Sequence, residues 1–335
     1  MWDNKLIEPA ALHGFADGNS LADLCHALLA QQRTVWPRLA QGCDALDQIE
    51  TKVVELSAWP VTVQFNPARA TSSLAKVDAA SIARRPCFLC VGNLPPEQRG
   101  IRTGDFVLLT NPAPIVPGHL TVAHERHTPQ QIEAYLEPFV TLAEKLSGQL
   151  TVLYNGPRCG ASAPDHMHFQ ATPFGAMPIE RQLGDGVCDG EYALARGTRI
   201  RLLTDAADAA SRARHLFELV SQDEEELIDA LRRTITALPP HDDGEPLLNL
   251  FTQHNEGQWT VILFPRAAHR PRCYFEEGNG QMLLSPGVLD MAGQLITVRE
   301  QDFARANAAT LSSLYREVTN TTATCQAVMK TLRAG

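Results

Sequence analysis

The chain has 335 residues, 44% of them hydrophobic, and a formal net charge of −9. That length can bury a sizeable core, as one large domain or two packed halves. The acidic balance excludes a global basic field for a nucleic-acid backbone or an anionic membrane, so any anionic ligand must be held by local basic residues in a small-molecule pocket.

The opening MWDNKLIEPAALHGFADG has no basic region followed by an apolar run, so no signal peptide is expected. No stretch reaches the roughly 20 apolar residues that span a bilayer. Eight cysteines are too sparse for a disulfide scaffold, and a soluble, cytoplasmic protein is expected. Residues 19–49 carry apolar positions at helical spacing behind Asn19 or Ser20, either of which suits an N-cap. Residues 53–78 switch to strand-like alternation, clearest at Thr62-Val63-Gln64-Phe65. RRPCFLC at 84–90 then leads into the turn-rich VGNLPPEQRG at 91–100. Residues 105–127 predict two short strands joined by a proline-rich turn. An amphipathic helix is predicted over 128–148, with Thr128 at its start and Gly148 past its end. Residues 149–157 predict a strand.

From about Pro173 to Pro240 the pattern is looser, apart from a helical stretch at 221–238. A second strand block follows at 246–253 and 258–266, and a closing helix is predicted over 299–320. Strand, turn, strand, helix, strand, loop, strand implies an α+β fold with a mostly antiparallel sheet. The expected boundaries are an N-terminal helical extension (1–55), a catalytic half (56–173), a connecting helical segment (174–244) and a second half (245–335). The halves are similar in order, without a clean internal sequence repeat.

The chemistry concentrates in CGASAPDHMHFQA, Cys159–Ala171. On an extended strand His166, His168 and Gln170 share one face, while Met167, Phe169 and Ala171 share the other, which is apolar and suits a core. The small residues Gly160, Ala161, Ser162 and Ala163 let backbone N–H groups approach a ligand closely. A neutral imidazole at His168 is a competent nucleophile toward phosphorus, forming a phosphoramidate beside loop donors that hold phosphate oxygens. The competing reading is two polar residues on a solvated sheet edge.

Cys87-Phe88-Leu89-Cys90 has zinc-knuckle spacing, which equally fits a redox pair or two buried thiols. Two of His119, His124, His127 and His166 would complete a closed tetrahedral set. His127, at a helix start beyond the HERH turn, is best placed to turn inward, whereas His119 and His124 read as surface residues. In FPRAAHRPR, Arg266 directly follows an apolar strand and is a candidate for the terminal phosphate or acceptor anion; Arg272 reads as solvated. Arg84 and Arg85 read as surface or as a structural pair, and the four tryptophans read as core.

These residues resemble a known superfamily. PCFLCVGN is similar to the opening of galactose-1-phosphate uridylyltransferases, and NG…GAS…HMHFQ resembles the active-site strand of the wider histidine-triad transferases, among them diadenosine tetraphosphate and GDP-hexose phosphorylases. VQFNPARA resembles the substrate-binding strand that precedes the cysteine pair, HFQA is closest to the GDP-hexose phosphorylases, and WTVILFPR resembles the C-terminal half of the diadenosine tetraphosphate enzymes. The likeness is strong over about 60–172, fainter over 245–300, and absent from the first fifty residues and the middle segment.

The resemblance implies two histidine-triad-like halves with mostly antiparallel sheets packed by helices. It implies His168 as the nucleotidylated nucleophile, and a structural zinc on Cys87, Cys90, His127 and His166. Gln170 stands where the hydrolytic branch has a third histidine; an amide can hold a phosphate oxygen but cannot activate water. Asn155, Gly160 and Ser162 would match the phosphate-binding loop, and Asn66 and Arg69 the substrate strand. One departure is that three residues separate Ser162 from His166, where the uridylyltransferases have two.

The expected function is nucleotidyl transfer. His168 takes a nucleotide from a dinucleoside polyphosphate or nucleotide sugar, and inorganic phosphate releases it as a nucleoside diphosphate. Alternatives are a hexose-1-phosphate nucleotidyltransferase, a nucleotide hydrolase of the same superfamily and, from another class, a zinc-containing nucleic-acid-binding module, against which the acidic charge counts. A nucleotide and phosphate are the expected partners, with no nucleic acid and no membrane. The base stays undecided, and a homodimer stays open.

Overall fold

The computed structural model describes residues 2–15, 18–70, 78–242 and 244–334; residues 71–77 of the stretch expected to alternate lie outside the described residues. Helix α1 (Leu21–Val35) opens on a capping box, with the Ser20 hydroxyl accepting from the Asp23 N–H and Asp23 accepting from the Ser20 N–H. The single helix expected over 19–49 is two. Pro37 starts α2 (Pro37–Leu46) at its first turn, and Trp36 before it is extended at φ −124. The helix expected from Thr128 begins only at α4 (Leu136–Lys145), after the short α3 (Ala79–Arg84) earlier in the chain. The residues before it are drawn into tertiary bonds instead: the Thr128 carbonyl accepts from the Met167 N–H, and the Gln130 N–H donates to the Pro164 carbonyl.

Ten strands form one sheet in the order β3-β4-β5-β7-β6-β11-β12-β10-β9-β8, every neighbouring pair antiparallel. The strands are β3 (Gly100–Thr103), β4 (Phe106–Thr110), β5 (Leu120–His124), β6 (Leu150–Asn155), β7 (His168–Pro173), β8 (Val187–Ala193), β9 (Arg199–Thr204), β10 (His215–Ser221), β11 (Leu248–Asn255) and β12 (Gln258–Pro265). The sheet is the same five-strand unit used twice: β3-β4-β5-β7-β6 and β8-β9-β10-β12-β11 have one order, and each carries a helix between its third and fourth strands, α4 and α6 (Glu224–Thr236). The units meet at the seam between β6 and β11, where Asn155 opposes Asn249 and Leu153 opposes Phe251.

This topology puts the first three strands of the second unit inside 174–244, the segment expected to be a helical connection. Their pattern conceals them. β8 is half exposed and bulged between Cys188 and Gly190, and β9 alternates arginine with apolar residues, Arg201 pairing across the ladder with Glu218.

One sheet face packs on α1, α4, α6 and the C-terminal α10 (Thr322–Ala334; the α5 helix, Pro178–Gln182, lies earlier in the chain), burying Met167, Phe169 and Ala171 as the alternation predicts. Burying Met167 and Phe169 contributes roughly 1.5–3 kcal/mol each, and Ala171 less. The other face packs on a three-stranded sheet, β1 (Glu50–Val54), β2 (Val61–Phe65) and β13 (Gln294–Thr297), and on α7 (Val288–Met291), α8 (Glu300–Arg305) and α9 (Ala308–Val318). The closing helix expected over 299–320 breaks at Asn307, whose side chain caps α9 by accepting from the Thr310 N–H. All four tryptophans are buried, as expected. Among the described residues no helix is long and apolar enough to cross a membrane.

Candidate active site

The cysteine pair lies on a tight turn, the Cys90 N–H donating to the Cys87 carbonyl. Cys87 Sγ is 3.3 Å from His166 Nδ1, and Cys90 Sγ is 3.2 Å from His127 Nδ1 and 3.7 Å from His166 Nδ1. The four ligand atoms lie within 4.8 Å of one another. Bonds of about 2.0–2.3 Å in a tetrahedron separate ligand atoms by roughly 3.3–3.8 Å, so this set fits zinc. Burial and the neighbouring Cys87 push the Cys90 thiol up to about 11, a cost that a bound cation would remove. The outer bonds suit the same role: His166 Nε2 meets the His124 carbonyl at 2.8 Å, and His127 Nε2 lies 3.9 Å from Asp165.

His168, two residues on, opens β7 and is 4% exposed. Its Nδ1 lies 2.8 Å from the His166 carbonyl oxygen, which can only accept, so Nδ1 carries the proton and Nε2 keeps its lone pair. Burial pulls its pKa down to about 4, so the ring is neutral at neutral pH. Gln130 holds the strand here: its Oε1 accepts from the His168 N–H at 2.8 Å, and its Nε2 donates to the carbonyls of His168 and Asn155 at 3.0 Å each.

A cavity lies between the first unit's loop at 156–167 and the segment after β12. Asn155, Gly160, Ser162, Gln170 and Arg69 line one side; His269, Arg270 and Ser285 line another, with Leu283, Val288 and Ile296 as apolar wall. His168 is not among the lining residues; it lies two residues before Gln170, on the same face of β7. Gly160 has φ +97, and a Cβ there would sit 2.5 Å from Gly287 Cα, so only glycine allows the two segments to cross. Asn155 Oδ1 accepts from Asn249 Nδ2 at 2.8 Å and from the Val288 N–H at 2.7 Å, which leaves the amide NH₂ as the group it can offer. Arg69 donates one N–H to the Ala113 carbonyl, and its buried Nε has no partner among the described residues. Burial lowers its pKa to about 10, still cationic at neutral pH. Opposite lies Asp290, pushed up to about 6 by burial although the Ile296 and Gly287 N–H groups donate to it.

The structure thus brings together Cys87, Cys90, His127 and His166 in one cluster, and Arg69, Asn155, Gly160, Ser162 and Gln170 around one cavity. Asn66 is buried nearby but outside the lining, its Nδ2 donating to Gln64. The expectation that Arg266 meets an anion finds no geometric support: it is buried, and its donors serve Val318, Asn249, Pro286, Ala268 and His269. The cations at the wall are Arg69 and Arg270, while Arg272 lies outside with Glu317. Arg85 is structural, donating to Asp165 and to the Ser162 carbonyl. His119 and His124, expected at the surface, are both buried at 1% exposure, because proline-rich backbone and aromatic rings close over them. Asn249 and Asp290 were missed, and Arg270 was read only as a member of the basic cluster FPRAAHRPR. Asn249 had a signal, a lone amide in the otherwise apolar run PLLNLF.

A family profile described as "Domain of unknown function (DUF4922)" matches residues 28–173. A search among curated proteins finds no match. Among solved structures, yeast Ap4A phosphorylase Apa2 in complex with AMP superposes with a TM-score of 0.55 at 17% identity, over 87% of this chain and 96% of that one. The same enzyme in complex with Ap4A gives 0.51 at 14% identity, over 85% and 97%. The resemblance read from the motif residues therefore holds at the level of fold, an α+β chain with one large antiparallel sheet.

Proposed function

We propose that the protein is a nucleotidyltransferase of the phosphorylase type, working through a nucleotidyl-His168 intermediate. His168 Nε2 attacks the α-phosphorus of a dinucleoside polyphosphate or nucleotide sugar; the P–N bond forms as the P–O bond to the distal phosphorylated group breaks. Inorganic phosphate then attacks the same phosphorus, the P–N bond breaks, and a nucleoside diphosphate leaves with His168 regenerated.

The observation that carries this reading is the His168 ring: neutral, buried, its Nδ1 proton held by the His166 carbonyl and its Nε2 lone pair left over, two residues along β7 from Gln170, which lines a cavity of amide, glycine-loop and arginine donors. As Nε2 bonds to phosphorus the ring becomes cationic, and the carbonyl bond to Nδ1 strengthens. Gln170, Asn155 and Arg69 would hold the phosphoryl oxygens, and an amide at Gln170 leaves water without a base. Zinc, held by Cys87, Cys90, His127 and His166, would be structural, with no open position for substrate. The fold shared with an Ap4A phosphorylase supports the same class.

The test is incubation with diadenosine tetraphosphate, and separately with nucleotide sugars, first without phosphate and then with it. The expected result is one nucleotide on His168 by peptide mass spectrometry, acid-labile and alkali-stable, discharged by phosphate to a nucleoside diphosphate. Release of monophosphate at the same rate with or without phosphate would replace transfer by hydrolysis. Discharge only by a sugar phosphate would make it a hexose-1-phosphate transferase.

A further inference from the structure

We infer that His119 is a positioning residue that fixes which end of the Gln170 amide faces the cavity. This rests on the proposed role of Gln170 at the phosphoryl group. His119 Nδ1 lies 3.2 Å from the Ile115 backbone nitrogen, whose N–H can only donate, so Nδ1 is the acceptor. A neutral imidazole with Nδ1 unprotonated carries its proton on Nε2. That Nε2 is 3.2 Å from Gln170 Oε1, so it donates there. With Oε1 engaged inward, the NH₂ is the end of Gln170 left for the cavity that the residue lines.

The alternative charge state is closed off. Burial and the neighbouring Arg69 pull the His119 pKa down to about 3, so the ring stays a single-donor group across the neutral range. The tautomer is set two steps from the ligand, by the Ile115 backbone N–H within the proline-rich turn between β4 and β5. Asn155 is fixed in the same sense from the other side, its Oδ1 filled by Asn249 and the Val288 N–H. Two amides from adjacent strands of the first unit therefore turn their donor ends to one cavity. Were Gln170 free to rotate by half a turn, its oxygen would meet the phosphoryl oxygens and repel them.

The experiment has two arms. In the first, histidine-selective ¹⁵N labelling reads the tautomer. His119 should show a protonated Nε2 and an unprotonated Nδ1 from pH 8 to 5, and a protonated Nδ1 or a titration in that range overturns the inference. In the second, His119→Phe and His119→Gln are each made with Gln170 intact and with Gln170→Ala, and AMP affinity and kcat/KM are measured alongside Tm and zinc content. His119→Phe should lose roughly ten-fold or more in both quantities. His119→Gln, whose amide N–H can take the place of Nε2, should recover most of that loss, and in the Gln170→Ala background neither variant should cost more. Equal losses in both backgrounds, or no recovery by glutamine, would make His119 a core residue only. Should the phenylalanine variant fail to fold, the glutamine variant and the labelled wild type decide. Absence of any nucleotidyl-His168 adduct sinks the proposed function by itself, while the tautomer arm still reads this inference.

Discussion

The two five-strand units have one topology and opposite duties, and the difference lies in a single connection. Between the fourth and fifth strands of the first unit runs the loop 156–167, which carries Gly160 and Ser162 and delivers His166 to the metal cluster and His168 to β7. The corresponding connection in the second unit is a two-residue turn, Glu256-Gly257, with φ +51 and +77, the left-handed pair of a tight hairpin. The fifth strand there, β12, runs Gln258-Trp-Thr-Val-Ile-Leu-Phe-Pro265 and is mostly buried apolar surface. What the second unit contributes instead comes after β12: the segment bearing Arg270, Ser285 and Asp290 returns to the first unit's cavity. A repeated scaffold thus gathers its cysteine–histidine cluster and glycine loop in one copy and lends the other copy's tail as a wall.

The largest expected break in that asymmetry is at His168. His168→Gly should abolish adduct formation and reduce turnover by about a thousand-fold or more, with Tm and zinc content nearly unchanged. Thr260→Ala on the second unit's fifth strand should leave the adduct intact. Retained turnover in His168→Gly would move the nucleophile elsewhere.

Next in size is the metal. Only the first unit has a cysteine–histidine cluster among the described residues, so purified protein should carry about one zinc per chain. Cys90→Ser should lose that zinc and more than about 3 kcal/mol of stability. Hydrogen exchange should show protection falling first in β3–β5 and β7, with β9, β10 and β12 following only on global unfolding. Folded, active protein without metal would leave Cys87 and Cys90 as a structural thiol pair.

A smaller effect separates the proposed nucleophile, buried, from a solvated one. With the His168 pKa lowered from 6.5 to about 4, the acid limb of kcat/KM assigned to this group should fall near pH 4, with the rate flat through pH 5–8. The stability sign follows. The unfolded ring binds its proton at the ordinary value and the folded ring resists it, so this group destabilises the fold as pH drops from about 6.5 toward 4. A limb at the ordinary histidine value would show that water reaches the ring.

How much of this was legible depends on whether a residue's neighbours are close in sequence. The alternation from His168 to Ala171 announced both faces of β7, because strand geometry is local, and the four residues that gather in the cysteine–histidine cluster were the ones the motif resemblance implied. The second unit's first strands were hidden because cross-strand charge pairs such as Arg201–Glu218 replace the apolar alternation that signals a strand. Arg266 illustrates the other limit. Its place after an apolar strand suggested an anion, but its acceptors come from residues as far away as Val318 and Pro286, which no local pattern reveals. His119 failed in the same way, since a histidine beside a glycine in a turn reads as exposed until Ile115 and Gln170 close around it.

The finest comparison sets one glycine against its counterpart in the other unit. Gly160 and Gly257 both have positive φ and both sit between a fourth and a fifth strand. At Gly257 an added Cβ meets nothing within 4 Å, so Gly257→Ala should cost only the left-handed backbone strain, about 1 kcal/mol, with Tm lower by about 2 °C and kcat unchanged. At Gly160 the same strain is joined by a contact of 2.5 Å with Gly287 Cα, a backbone atom that cannot swing away. The loop or the second unit's returning segment must then shift by about an ångström, and that segment also fixes Asn155 through the Val288 N–H. Gly160→Ala should therefore cost roughly ten-fold or more in kcat/KM beyond its effect on Tm, because displaced donors lose transition-state contacts steeply with distance. Equal effects of the two substitutions on stability, with no separate loss of activity at Gly160, would mean that the crossing of the two segments is packing alone and that the long loop of the first unit holds no phosphoryl group.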